Sequence, residues 1–427
     1  MATLAVSAAV GAPAHAEPDP LATLLARTDA IAKEVARQRG LPLAHPVAQE
    51  VVSREQLRAR LLKLAAEQKT QAEARAEGVA LARWGMIPLD TDYVTLMVDL
   101  LTDQIAGYYD PDTKKLTISK SAGADAAWAE MVLAHELDHA LQDQTYDLAK
   151  FEDVPEGEGD AALARQALVE GDGVALMIEL ALARKRLPPP WRDPAIAREL
   201  SMAMALPSGD RLDAAPLAVR ELLLFPYRAG FAFVAALRRT QPWSAIDAAF
   251  ERPPRSTEQI LHPERYRHDE RPIAVQVHVP AALADYRVTH ATVWGELGFS
   301  LFVRSHGLDE RAGAQAADGW GGDRVVTLAR ADGKPEHSIG LARFEWDNEP
   351  DAIEAHRAAV RAIDDAVLGA TLDHGDTRTR WLALDGTASL VERRGTSVVI
   401  AHGVPVRLLA AVEAELWSST SASTRSR

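Results

Sequence analysis

The residues with the clearest chemistry lie between positions 133 and 141, where the sequence reads L-A-H-E-L-D-H-A-L. This is an H-E-x-x-H motif inside a segment that predicts a helix. Residues four apart lie on one face of a helix, so His135 and His139 can hold one metal ion, most typically zinc. Glu136 is rotated away from the line joining them and can act as general base towards water on that ion. The alternative is a chance pentapeptide on a surface helix.

A third ligand must come from elsewhere in the chain, because catalytic zinc usually has three protein ligands and one water. No H-x-x-G-x-x-H continuation follows His139, which disfavours a third histidine. We predict Glu170, which lies within the next apolar helix, where a buried carboxylate needs a partner. An ordinary salt bridge is the alternative role for Glu170. Asp172 is the other candidate ligand, and Asp172 or Asp143 could accept a hydrogen bond from a ligand histidine.

The motif with the downstream Glu170-Gly171 pair resembles the gluzincin zinc metallopeptidases, the class of thermolysin and aminopeptidase N. The pair is similar to the N-E-G-F-A segment of the aminopeptidase N branch, with Asp172 in place of the phenylalanine. Positions 225–230 read F-P-Y-R-A-G and resemble the P-Y-x-x-G segment of that branch. The resemblance covers about residues 104–240. No G-x-M-E-N exopeptidase motif is present, so aminopeptidase activity is not implied.

This resemblance implies a zincin-like catalytic domain in which zinc is held by His135, His139 and Glu170. Glu136 would take a proton from a zinc-activated water, and the Tyr227 hydroxyl would help to stabilise the oxyanion. The reaction would be peptide-bond hydrolysis. Two alternatives stay open: a non-catalytic zinc-containing binding or scaffold protein, and a zinc amidase acting on cell-wall peptide. Tyr227 could instead be a packed tyrosine, and His262 is either a second oxyanion donor or structural.

The spacing of apolar residues predicts an α+β protein that is predominantly α-helical. The zinc motif lies on a helix at about 125–144, after an edge β-hairpin at 105–119 that could pair with an extended substrate. A loop at 145–159 separates it from the helix of Glu170, at about 161–185, for which Asp160 is the expected N-cap. Five regions are predicted: a signal peptide at 1–16, a helical region at 17–90, a catalytic domain at 91–275, a C-terminal α+β module at 276–417 and a disordered tail at 418–427.

Composition limits the partners. The 427 residues carry a net charge of −14, which argues against nucleic acid as a partner, and no apolar run approaches the length of a membrane span. The absence of cysteine excludes disulfides and thiolate ligands. The A-x-A pattern at 14–16 predicts export, to the periplasm or outside the cell. S-T-E-Q-I-L-H-P at 256–263 and G-W-G-G-D at 319–323 also resemble a group of poorly characterised, mostly exported bacterial proteins. A peptide or protein is the expected substrate.

Overall fold

The computed structural model describes residues 20–68, 71–120, 125–203, 210–330 and 334–418. It confirms the predicted α+β class, with helices in the first two-thirds of the chain and a large antiparallel sheet in the last third. The predicted signal peptide at 1–16 and nearly all of the predicted tail lie outside the described residues. Among the residues that the structure describes, no helix has both the length and the apolar character to cross a membrane.

The described helices and strands follow in chain order. The helices are Pro20–Leu25 (α1), Thr28–Arg39 (α2), Arg54–Gln68 (α3), Gln71–Arg83 (α4), Tyr93–Gln104 (α5), Ala126–Tyr146 (α6), Leu148–Glu152 (α7), Gly159–Arg184 (α8), Pro194–Ala203 (α9), Asp210–Asp213 (α10), Leu217–Arg238 (α11), Ser244–Glu251 (α12), Thr257–Leu261 (α13), Pro263–Arg267 (α14), Gly295–Ser305 (α15), Glu310–Ala317 (α16), Glu349–Ala366 (α17) and Leu409–Leu416 (α18). The strands are Ala48–Val52 (β1), Gly107–Asp110 (β2), Lys115–Ser119 (β3), Arg287–Thr292 (β4), Trp320–Ala329 (β5), Ile339–Trp346 (β6), Gly369–His374 (β7), Arg378–Ala383 (β8), Thr387–Arg394 (β9) and Ser397–Pro405 (β10).

The smaller sheet lies beside the zinc-motif helix and has the order β1-β3-β2. The predicted hairpin is present: β2 pairs antiparallel with β3, with Gly107 opposite Ile118 and Asp110 opposite Lys115. β1 pairs with the other side of β3 in parallel. Among the described strands β2 pairs only with β3, so no strand lies on its second edge.

The larger sheet has the order β4-β5-β6-β10-β9-β8-β7, and every neighbouring pair is antiparallel. Successive side chains of a strand point to opposite faces of the sheet, and at the centre of this sheet both faces are buried. Val325 joins the core shared with the helical region, whereas Val326 joins a second core that contains Val412 of α18. The first core therefore packs the sheet directly against the helices that include α8 and α11.

α8 is the central helix of the helical region and packs against both α6 and α11. The contact with α11 is between backbones. A Cβ atom on Gly230 would lie 2.0 Å from the carbonyl oxygen of Ala167, and one on Gly171 would lie 2.2 Å from the carbonyl carbon of Gly230. Only glycine fits at these two positions, and the pair sets the spacing of α8 and α11.

Several local predictions were wrong. The sequence pattern predicts separate helices at 214–224 and 226–240, but α11 runs through Pro226, since Phe225, Phe231 and Val234 bury the helix on both sides of the proline. The predicted loop at 145–159 contains α7, whose Leu148 and Phe151 are buried. Asp160 does not cap α8; it accepts hydrogen bonds from the backbone and hydroxyl of Thr257.

Replacing Gly230 by alanine should force α8 and α11 apart. We expect Gly230→Ala to lower the free energy of unfolding by about 1–3 kcal/mol, as for other over-packed contacts. Gly375→Ala is the matched control, because a Cβ atom there would lie at an ordinary 3.5 Å from the carbonyl oxygen of Arg378. Urea unfolding of both variants checks this, and equal losses would contradict the proposed backbone contact.

Candidate metal centre

Two histidines are brought together by α6. Asp125 caps this helix by accepting hydrogen bonds from the backbone N–H groups of Ala127 and Trp128. The helix is regular over its 21 residues, so His135 and His139 lie one turn apart, with ring centroids separated by 4.5 Å. Their Nε2 atoms are 3.0 Å apart and point towards the same place.

Glu170 of α8 completes the group. Its Oε2 lies 3.1 Å from Nε2 of His135 and 3.4 Å from Nε2 of His139. Two zinc ligands at about 2.1 Å with tetrahedral angles are about 3.4 Å apart, so these separations suit a zinc ion at the common focus. In the part of the chain that the structure describes, this is the one group of histidine and acidic residues close enough to hold a metal.

Charge complementarity supports the same grouping. Burial alone would lower the pKa of His139, but the Glu170 carboxylate raises it to about 10. Burial alone would raise the pKa of Glu170, yet the two histidines hold it well below its usual range. The buried carboxylate therefore favours positive charge at this position, which either protons or a metal cation can supply.

Glu136 lies beside this group and faces the hairpin. Its carboxylate accepts a hydrogen bond from the backbone N–H of Tyr109, and burial raises its pKa, opposed by His135 and His139. β2 passes directly over it, since a Cβ atom on Gly107 would lie 3.5 Å from Cγ of Glu136. The candidate general base and the edge strand are therefore in contact.

Tyr227 reaches the same place from α11. Its hydroxyl donates a hydrogen bond to Glu170, and burial raises its pKa. Its ring centroid lies 6.3 Å from that of His135. Gly230, one turn further along, is the residue that lets α11 approach α8, so P-Y-x-x-G has a physical basis here. The structure thus brings together His135, Glu136, His139, Glu170 and Tyr227.

The glycine that follows Asp172 is also explained by the site. A Cβ atom on Gly173 would lie 2.7 Å from Nδ1 of His135. That Nδ1 atom is buried and has no hydrogen-bond partner among the described residues. The His135 ring is therefore held by packing against the α8 backbone.

The other residues that the sequence suggested for the site have different contacts. Both oxygens of Asp172 accept from Arg39, so Asp172 does not accept directly from a ligand histidine. Asp143 accepts from the Tyr109 hydroxyl at 2.7 Å and from Lys114, which fastens the hairpin to α6. His262 pairs with Glu296 at 2.9 Å and is absent from the lining of the cavity beside the metal group.

An apolar cavity of about 210 Å³ opens beside His135, Glu136 and Tyr227. Its wall comes from α5, α6, α8, α10 and α11 and includes Leu101, Trp128, Val132, Met177, Leu222 and Pro226. Sequence reasoning did not identify this cavity, because its lining residues are ordinary apolar residues on five separate helices. Its size exceeds the about 150 Å³ that suffices for a benzene ring.

A larger cavity of about 540 Å³ lies where the helical region meets the sheet. Three charged groups in its wall have protein partners: Asp160 accepts from Thr257, and Arg324 donates to the carbonyl of Gly157 and to Glu158. Asp323 accepts from two backbone N–H groups and from an indole. These contacts join the two parts of the chain.

One family model, described as "Domain of unknown function (DUF8575)", matches residues 284–413. This segment contains the seven-stranded sheet and none of the metal-centre residues. No curated protein and no solved structure matches the chain.

Crowding the His135 ring should weaken metal binding. We expect Gly173→Ala to reduce zinc affinity at least tenfold, because the added methyl group displaces the ring from its place on α8. Competition with a chromophoric chelator measures this affinity. Gly375→Ala should leave zinc affinity unchanged, and a normal zinc affinity in Gly173→Ala would contradict the packing account.

Proposed function

We propose that this protein is a zinc-dependent metallopeptidase of gluzincin type, with a zincin-like catalytic region. The observation that carries the proposal is the convergence of Nε2 of His135, Nε2 of His139 and Oε2 of Glu170, with the Glu136 carboxylate beside them. No thiolate is present, and a His₂Glu set is typical of catalytic zinc.

Zinc bound by these three residues would supply Lewis-acid chemistry that activates water and polarises a carbonyl group. Glu136 accepts the proton from the attacking water at a carboxylate oxygen and passes it to the leaving nitrogen. Burial raises the pKa of Glu136, which makes it a better proton acceptor than an exposed carboxylate. The Tyr227 hydroxyl donates to negative charge that develops on the carbonyl oxygen.

The substrate would be an extended peptide. No described strand covers the second edge of β2, where Tyr109 donates its N–H to Glu136, and a peptide that pairs with the other backbone groups of this edge would lie alongside the candidate metal group. The adjacent cavity would hold one large apolar side chain and exclude water from it. The A-x-A pattern at 14–16 extends the proposal to an exported enzyme that meets its peptides outside the cytoplasm.

Removing the general base should separate catalysis from metal binding. We expect Glu136→Gln to lower kcat at least 100-fold on any cleaved peptide, because a carboxamide cannot accept the proton. Zinc content and thermal stability should stay near those of the unmodified protein. Mass spectrometry of a peptide library after incubation measures turnover.

The outcomes of this experiment also separate the alternatives. Zinc binding without turnover of any peptide would favour a non-catalytic binding or scaffold protein. Turnover of cell-wall peptides alone would favour the amidase. Full activity in Glu136→Gln would contradict the mechanism.

The cavity should set a preference for one side chain. Full burial of a leucine or phenylalanine contributes about 1.5–3 kcal/mol, so peptides with such a residue next to the cleaved bond should have kcat/KM about 10–150 times that of alanine peptides. Leu222→Trp should reduce this ratio by narrowing the cavity. Leu187→Trp is the control, because Leu187 is exposed and does not line the cavity. An unchanged ratio in Leu222→Trp would contradict the preference.

A further inference from the structure

His139 has a partner on the side of its ring that faces away from Glu170. Its Nδ1 lies 2.9 Å from Oε1 of Gln142, which is one turn further along α6. Gln142 is fully buried and is therefore shielded from competing water. A hydrogen bond at this position decides which ring nitrogen of His139 carries its proton.

The orientation of the Gln142 carboxamide follows from its surroundings. Its Nε2 lies 3.1 Å from Oδ2 of Asp138, 3.0 Å from Oδ2 of Asp172 and 3.2 Å from the carbonyl oxygen of Val169. All three atoms are acceptors, so the NH₂ group must face them. The carbonyl oxygen of Gln142 must then face His139.

A carbonyl oxygen can only accept a hydrogen bond, so Nδ1 of His139 must carry a proton. Nε2 is then the nitrogen whose lone pair is available to a metal. We propose that Gln142 is a positioning residue for the metal centre, which holds His139 in the orientation and tautomer that zinc binding needs. This inference rests on the proposed metal site.

Arg39, at the end of α2, donates to Asp172, the same carboxylate to which Gln142 donates. The Arg39 side chain is fully buried; its Nε donates to Asp172 at 2.9 Å and its Nη1 donates to Asp247 at 2.7 Å. Gln142 alone could not hold Asp138 and Asp172 together, because two buried carboxylates repel each other. The Arg39 guanidinium supplies the balancing charge.

The two histidines therefore differ. His139 has a polar partner at Nδ1, whereas Nδ1 of His135 has none among the described residues and packs against Gly173. A change at Gln142 should disturb His139 and leave His135 in place. This asymmetry distinguishes positioning from a general loss of structure.

The test uses Gln142→Met in the full chain, with zinc affinity measured by chelator competition. Methionine has a similar length, but its thioether sulfur is only a weak acceptor for Nδ1–H, so we expect zinc affinity 10–100-fold weaker than in the unmodified protein. Gln144→Met is the matched control on the same helix, since Gln144 bonds to the backbone at Ala44 and His45 instead. Its zinc affinity should stay within about twofold of the unmodified value.

A second measurement follows the two histidines separately. In the zinc-loaded unmodified protein, NMR should show a His139 Nδ1–H that exchanges slowly with solvent, and this resonance should move in Gln142→Met while that of His135 does not. Unchanged zinc affinity in Gln142→Met, or equal shifts of both histidines, would overturn the inference. Failure of the unmodified protein to bind zinc would instead overturn the proposed metal site.

Discussion

The candidate metal centre depends on the close approach of α8 to its two neighbours, which three glycines allow. Gly171 meets Gly230 of α11 backbone to backbone, and Gly173 leaves room for the His135 ring. Glu170 directly precedes these contacts on α8, and the close approach of the helices lets its carboxylate reach both histidines. In the segment Glu170-Gly171-Asp172-Gly173, the first residue supplies the candidate ligand oxygen and the other three set where that oxygen lies. A side chain at Gly171 or Gly173 would move the candidate ligand atoms apart.

A second constraint is electrostatic. His139 contacts Gln142, which donates to Asp172 on α8, and Asp172 and the half-buried Asp247 on α12 both accept from Arg39 on α2. Removing one partner of such a buried pair costs about 3–5 kcal/mol, since the other charge is left unpaired. The N-terminal helical region therefore supports the candidate metal site, although it contains none of the candidate ligands. Also on α6, Asp143 accepts from Tyr109 and so fastens the strand that contacts Glu136.

Local patterns predicted the elements that carry the site. Four-residue spacing placed His135 and His139 on one helical face, and the hairpin predicted at 105–119 is present as β2 and β3. The helix break predicted at Pro226 was wrong, because tertiary packing keeps α11 helical through the proline. The roles of Arg39 and the apolar cavity could not be predicted, since they depend on contacts between residues far apart in sequence. The contact of Gln142 with His139 could have been predicted, because the two residues lie one turn apart on the same helix.

The central claim is that His135, His139 and Glu170 together hold one metal ion. Elemental analysis of protein purified without added metal tests it most directly, with Glu170→Ala compared against the unmodified chain. The account predicts about one zinc per chain in the unmodified protein and a large loss in Glu170→Ala. Full zinc content in that variant would place the third ligand elsewhere, and no zinc in the unmodified protein even after reconstitution would contradict the account.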